Sequence, residues 1–183
     1  MRAADVSSDI TEVLVTEEQI RAKLDEIAAQ VAEDYADEDL LLVGVLKGAI
    51  MVMADFSRAL KKHVTMDWMA VSSYGAGTKS SGVVQIRKDL DTDILGKHVL
   101  IVEDIIDSGL TLSWLLENFT ARGAASVEVF ALLRKPEAAK VVIDCKYVGF
   151  DIPTDFVVGY GLDYAEKYRN LRDVAVLAPH VYS

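Results

Sequence analysis

Residues 99–112 read VLIVEDIIDSGLTL, and the reading of this stretch decides the fold. Val99 to Val102 is a short, β-branched-rich apolar run that suits a strand buried on both faces, although periodicity alone also admits a buried helix. Two carboxylates, Glu103 and Asp104, stand where such a strand would emerge. After Ile105 and Ile106 come Asp107, Ser108 and Gly109, which punctuate the chain. From Leu110 onward, Leu112, Trp114, Leu115, Leu116 and Phe119 supply a largely apolar helical segment, with Arg122 and Gly123 as its basic last turn and stop. The predicted unit is strand, acidic turn, helix.

That unit carries a chemical demand. A helix N-terminus offers unsatisfied N–H groups and partial positive charge, and Ser108, Gly109 and Thr111 are small enough to let a phosphate approach. Adjacent carboxylates would repel that phosphate, so Glu103 and Asp104 read better as partners of sugar hydroxyls or of Mg²⁺ and its waters. A phosphorylated sugar satisfies both halves. A lone Glu-Asp pair would ordinarily be a solvated turn; here the whole arrangement counts against that.

Working outward, Leu40 to Leu46 is a second buried apolar run, ending in Lys47, Gly48 and Ala49 before a helix-like segment from Ile50 to Leu60. The strand-turn-helix plan is repeated. Residues 64–72 permit a strand, Ser72 to Ser81 is rich in turn formers, and Val83 to Ile86 returns, so Ser73 to Gly82 reads as the tip of a mobile hairpin or flap. Val127 to Leu133 is a further buried strand, stopped by Arg134, Lys135 and Pro136. Tyr147 to Phe150, Phe156 to Val158 and Val174 to Leu177 are shorter apolar runs. Upstream, Thr16 and Gln19 have capping-box spacing, and Ile20, Leu24, Ile27, Ala28 and Val31 fall at helical intervals up to about Tyr35. Met1 to Val15 reads as either a flexible arm or a late-added strand.

Composition bounds the function. The chain has 183 residues, 51% hydrophobic and 26% charged, which is enough for one well-buried domain spanning residues 1–183. A formal net charge of -10 argues against nucleic acid or an anionic membrane as the main partner. The single cysteine, Cys145, excludes an intrachain disulfide and fits a reducing compartment, so a soluble cytoplasmic protein is expected. His63, His98 and His180 share no metal-ligand spacing and read as structural or solvent-facing.

The 99–112 stretch resembles the phosphoribosyl-pyrophosphate (PRPP) signature of the type I phosphoribosyltransferases, in the form carried by the hypoxanthine-guanine enzymes. Ser108 stands where many relatives have Thr, and Ala49 replaces a Gly of some relatives. The stretch VGFDIPTDFVVGYGLDYAEKYRNL, residues 148–171, extends the resemblance, which runs from about Leu41 to Arg169.

The resemblance implies an α/β fold with a mostly parallel twisted sheet flanked by helices, a small hood formed partly from residues near both termini, and a mobile lid. It implies purine salvage: ribose 5-phosphate moves from PRPP to N9 of hypoxanthine or guanine, giving IMP or GMP and pyrophosphate, with Mg²⁺ as cofactor. Glu103 and Asp104 would hold the ribose hydroxyls and metal, and Asp107 would act at N7 as general base or proton holder. Asp107, Ser108, Gly109, Leu110 and Thr111 would grip the 5-phosphate. Lys47, Gly48 and Arg169 would bind pyrophosphate, with a non-proline cis peptide often found at the Leu46-Lys47-Gly48 turn. Ser73 and Tyr74 would belong to the lid. Lys135 would address the purine O6, with Arg134 the less suited reader, while Phe156 stacks on the base and the Val157 backbone meets its edge. Asp163 would serve the base and a second metal. A homodimer or homotetramer is implied as well. Two rivals stand beside this reading, a xanthine-preferring enzyme and a non-catalytic PRPP-sensing regulator.

Overall fold

The computed structural model describes residues 1–73 and 84–182 of the chain. Its first long element is α1 (Glu17–Asp34), entered through the expected capping box: Thr16 Oγ1 accepts from Gln19 N–H at 3.3 Å, and Gln19 Oε1 accepts from Thr16 N–H at 2.8 Å. Ahead of it, β1 (Ile10–Val15) settles the N-terminal alternative in favour of a strand. Next come β2 (Leu40–Leu46), α2 (Ile50–Ala59), β3 (Thr65–Ser73) and β4 (Val84–Lys88). The quoted stretch forms β5 (His98–Ile106) and α3 (Leu110–Ala121). The chain closes with β6 (Ser126–Arg134), β7 (Tyr147–Asp151), β8 (Val157–Val158), β9 (Val174–Leu177) and α4 (Pro179–Tyr182).

Six strands make one sheet in the order β4-β3-β2-β5-β6-β7. All neighbours run parallel except the β3–β4 pair. Helical connections between β2 and β3 and between β5 and β6 are what permit the parallel pairings. Alternation along each inner strand then supplies both faces. Leu40 and Leu42, Leu100 and Val102, and Phe130 and Leu132 pack with α1 and α2. Leu41 and Val43, Val99 and Ile101, and Val129 and Ala131 pack with Leu112, Leu115 and Phe119 of α3. The helices therefore cover opposite faces, the arrangement that near-continuous apolar strands require. A second sheet, antiparallel and ordered β1-β9-β8, joins strands from near both ends of the chain and is the expected hood.

One boundary differs from the expectation. The acidic pair does not lie in a turn after the strand; β5 runs through Glu103 and Asp104 to Ile106. The cause is asymmetric pairing. On one side β6 follows β5 to the register partners Ile106 and Arg134, whereas on the other β2 pairs only as far as Gly44 with Val102. The strand is held from one side while the other opens, so the carboxylates emerge inside the sheet. The flap tip, including Tyr74, lies outside the described residues; Ser73 is the last residue of β3. Among the described residues no helix is long and apolar enough to cross a membrane.

The α2 face is anchored by Phe56, fully buried, whose ring packs on Phe130 with centroids 4.7 Å apart. Phe56→Ala should cost about 3–5 kcal/mol of unfolding free energy, through lost transfer energy and the cavity left behind. Urea denaturation followed by circular dichroism measures this; a loss below about 1 kcal/mol would show that the α2 contact is peripheral to the core.

Candidate active site

From β2 the chain moves to β3 on one side of the sheet, while β5 and β6 extend it on the other. Strand order therefore reverses between β2 and β5. In open α/β sheets the crevice at such a reversal, beyond the carboxyl ends of the strands, is where ligands are taken. Three segments converge there: the turn after β2, the end of β5 with the start of α3, and the segment between β8 and β9.

The turn after β2 contains a cis peptide between Leu46 and Lys47. Gly48 is packed so tightly that a Cβ there would lie 1.8 Å from Asp104 Oδ2. From the far side, a Cβ on Gly161 would lie 2.0 Å from the Gly48 carbonyl oxygen. Two glycines thus allow three backbone segments to meet around one carboxylate.

That carboxylate and its neighbour are electrostatically costly. Glu103 is 8% exposed, and burial, followed by the adjacent Asp104 charge, holds its carboxyl well above the ordinary range. Asp104 is pushed up to about 6, chiefly by burial, with Arg169 nearby acting in the opposite direction. Both groups therefore bind protons more tightly in the fold than in the unfolded chain. Ionising them as pH rises costs stability, which a positive ligand at this place would offset.

Immediately beyond lies a cleft of about 120 Å³ lined by Glu103, Ile105–Gly109, Thr111 and Leu112. Asp107 is exposed at its mouth and Ser108 is half-buried. Gly109 precedes α3 with φ 79° and gives the helix no side-chain cap. A long contact of 3.5 Å runs from Leu110 N–H to Ser108 Oγ. The first-turn amides of α3 consequently face the cleft with their hydrogen-bonding capacity largely unspent, which is the condition for holding an anion. Behind this loop, the N–H groups of Lys140 and Val141 donate to Ser108 O at 3.0 and 3.2 Å. That support comes from residues that the sequence does not mark.

The third segment brings the cations. Arg169 Nη2 lies 2.8 Å from Asp163 Oδ1 and 3.3 Å from Glu166 Oε1, and its Nη1 donates to Gly161 O at 2.8 Å. Lys47 Nζ lies 3.0 Å from Glu166 Oε2. Hydrogen bonds from Lys47 and then Arg169 hold the Glu166 carboxyl below its ordinary range. Lys47, Gly48, Asp104, Asp163 and Arg169, spread over the sequence, are thereby gathered into one neighbourhood. Glu166, which joins two of them, is missing from the sequence reading because an exposed glutamate in a turn carries no periodic or motif signal.

The expected base-binding residues are less closely assembled. Lys135 is 8% exposed and borders an apolar cavity of about 230 Å³ lined by Ile106, Arg134, Pro136, Ala139 and Val141–Ile143. Phe156, Val157 and Asp163 do not line that cavity. The Phe156 ring is 40% exposed and packs on Tyr182 at 5.1 Å between centroids and edge-on to Tyr164 at 5.8 Å. Tyr182 is a second residue unseen from sequence, brought over by α4. Val157 belongs to β8, which among the described residues is an edge strand paired only with β9. Arg134 is paired with Asp151 through bonds of 2.7 and 3.0 Å. His98, at the opposite end of β5, bonds Ser126 Oγ at 2.8 Å and is structural. Burial pushes the Cys145 thiol up to about 11, leaving it inert.

A reversal of strand order carrying buried acids, cations and an open helix N-terminus defines an α/β protein built for an anionic ligand. The sequence profile of the phosphoribosyl transferase domain matches residues 12–165, and the chain belongs to that family. It is 54% identical over 180 residues to the hypoxanthine-guanine phosphoribosyltransferase of Mycobacterium tuberculosis, covering 95% of this chain and 89% of the relative. The Bacillus subtilis enzyme of the same name is 52% identical over 174 residues, covering 95% and 97%. Among solved structures, a hypoxanthine phosphoribosyltransferase from Staphylococcus aureus superposes with a TM-score of 0.94 at 48% identity, covering 97% of each chain. The chain is thus a transferase with the type I phosphoribosyltransferase fold.

The Gly48 contact yields a direct test. Gly48→Ala must separate the Lys47 turn from Asp104, and a displacement near 1 Å at such a site costs about 10²-fold in kcat/KM. Steady-state kinetics with PRPP, beside a thermal melt showing a retained fold, measures it; full activity would mean the close approach has no catalytic use.

Proposed function

We propose that this protein is a purine-salvage enzyme that transfers the 5-phosphoribosyl group of PRPP to N9 of hypoxanthine or guanine, forming IMP or GMP and releasing pyrophosphate. The observation that carries the reading is the acidic pair beside the open N-terminus of α3, with Glu103 buried and Asp104 half-buried. Carboxylates for ribose hydroxyls and amides for a phosphate, set side by side, match the two ends of a phosphoribosyl group. The names of the related enzymes supply the purine.

The residues divide the work. The 5-phosphate is held by Asp107, Ser108, Gly109, Leu110 and Thr111, through loop and first-turn amides with the Ser108 and Thr111 hydroxyls. Lys47, Gly48 and Arg169 hold the pyrophosphate. As the bond from the anomeric carbon to pyrophosphate breaks, the new bond to N9 forms and the base surrenders its N7 proton to the Asp107 carboxylate. Glu103 and Asp104 bind the ribose hydroxyls and place negative charge near the cationic sugar of the transition state. Lys135 donates to O6, Phe156 offers a face for stacking, and the Val157 backbone, with Asp163, meets the edge of the base. Ser73 and Tyr74 belong to the lid that excludes water.

Mg²⁺ fits these donors. Among the described residues no cluster of three or more acidic, histidine or cysteine side chains could hold a metal ion. Glu103 and Asp104 on β5 and Asp163 in the segment after β8 instead offer hard oxygens, and Mg²⁺ is commonly held by one or two carboxylates with substrate phosphates and water completing the shell. The ion would supply neutralisation of the departing pyrophosphate. The family resemblance implies a homodimer or homotetramer, and the lone Cys145 fits a reducing cytoplasm.

Incubation with PRPP, Mg²⁺ and each purine tests the reading, since no nucleotide from any base would favour a regulator. Asp107→Asn should retain PRPP binding and lose roughly 10²- to 10⁴-fold in kcat; an unchanged rate would remove Asp107 from the chemistry. Lys135 has donors and no acceptor, so it suits a 6-oxo group and meets a donor when adenine is offered. We expect kcat/KM to rank hypoxanthine and guanine above xanthine and adenine last, with adenine rejected by about 10⁴- to 10⁵-fold. Efficient adenine turnover, or an unaltered profile in Lys135→Ala, would defeat the O6 assignment.

A further inference from the structure

Glu166 bridges two cations that come from distant parts of the chain. One carboxylate oxygen takes Lys47 Nζ at 3.0 Å and the other takes Arg169 Nη2 at 3.3 Å. This is the charge pattern of a diphosphate, which likewise presents separate oxygens to separate cations. Lys47 and Glu166 are each 65% exposed at the side chain, so their pair is open to exchange with a solute anion. Arg169 Nε, by contrast, is buried and has no acceptor among the described residues. A donor of that kind calls for one more oxygen than Asp163, Glu166 and the Gly161 carbonyl supply.

The backbone holds Glu166 in place despite its exposure. Tyr164 and Lys167 exchange hydrogen bonds of 3.2 and 3.0 Å, closing a two-residue turn. Within it Ala165 and Glu166 both have positive φ, 50° and 63°, where Gly, Asn or Asp would ordinarily be found. The Glu166 N–H is tied to Asp163 Oδ2 at 2.9 Å. A charged side chain on an unfavourable turn, aimed at two cations, is better explained by what it does there than by the turn's own needs.

We infer that Glu166 is an exchangeable counter-anion: it holds Lys47 and Arg169 between turnovers and gives them up to the pyrophosphate group of the substrate. It thereby sets the affinity for pyrophosphate from inside the chain. The inference rests on the assignment of Lys47 and Arg169 to pyrophosphate. Its consequence runs opposite to that of an ordinary binding residue, because losing the carboxylate should tighten the site. With Glu166 in place Lys47 does not stand bare and Arg169 has a carboxylate beyond Asp163, and Glu166 competes with the departing product, which favours its release.

The test is isothermal titration of inorganic pyrophosphate with Mg²⁺ into the full chain and its variants, together with KM for PRPP. Glu166→Gln should bind pyrophosphate about 2- to 5-fold more tightly, as the loss of exposed competing ion pairs allows, and KM for PRPP should fall in parallel. Glu166→Asn, which removes the charge and suits positive φ, should give the same gain and guards against a misfolded turn. In a Lys47→Ala background the gain should shrink, because half of the competition is already gone. Unchanged or weaker pyrophosphate binding by both Glu166 variants, with Lys47→Ala still weakening it, overturns the exchange and leaves the pyrophosphate assignment standing. If Lys47→Ala and Arg169→Gln both leave pyrophosphate binding intact, the assignment falls and the inference with it.

Discussion

The burial of two adjacent carboxylates at the end of β5 is the constraint on which the rest of the structure depends. Packed protein is a poor solvent for charge, and Glu103 and Asp104 lie side by side with burial raising both. Nothing in the hydrophobic core calls for them. Val99 to Val102, fully buried, would end β5 just as well without an acidic extension. The sheet tolerates the pair because β6 carries β5 forward after β2 has left it, so that the acids sit at an opening and not within continuous packing. The fold holds a local instability at the place where strand order reverses, and a cationic or hydroxyl-rich ligand is what relieves it.

Around that pair the chain makes its closest approaches. Gly48 abuts Asp104, and Gly161 abuts the Gly48 carbonyl, so the turn after β2 and the segment after β8 are locked to the acidic strand through contacts with no room for a side chain. Arg169 comes from the same late segment and bridges Asp163, Glu166 and the Gly161 carbonyl. Positive charge is therefore delivered to the acids by backbone packing as much as by ion pairing. Neither of these cations is free of anions: Lys47 and Arg169 both have carboxylate partners, with which an anionic ligand would have to exchange.

The two halves of the site are built to different tolerances. The half formed by β5, the α3 N-terminus and the β2 turn rests on the central strands, the kind of support that a site positioning a reacting centre would need. The proposed base half would draw on Lys135 at the end of β6 and on Phe156 and Val157 in the hood, where Phe156 leans on Tyr182. Its members come from separate sheets, and the apolar cavity beside Lys135 does not reach the Phe156 ring.

The sequence by itself determined the parts whose information is local. The strand-turn-helix units at residues 40–60 and 99–123, the Thr16 capping box and the helix beginning at Leu110 follow from period, caps and breakers, which act over a few residues. The chemistry of the 103–111 stretch was legible for the same reason, since acids, small residues and a helix start are contiguous there. Only the tertiary structure decided that Glu103 and Asp104 lie within a strand, because the extent of β5 is set by its neighbours β2 and β6 and not by its own residues. It also decided that Gly48 meets Asp104, that Glu166 joins Lys47 to Arg169, and that Tyr182 covers Phe156. Lys47 and Glu166 are 119 residues apart, and no pattern along the chain records which distant side chains the packing of two sheets will bring within 3.0 Å.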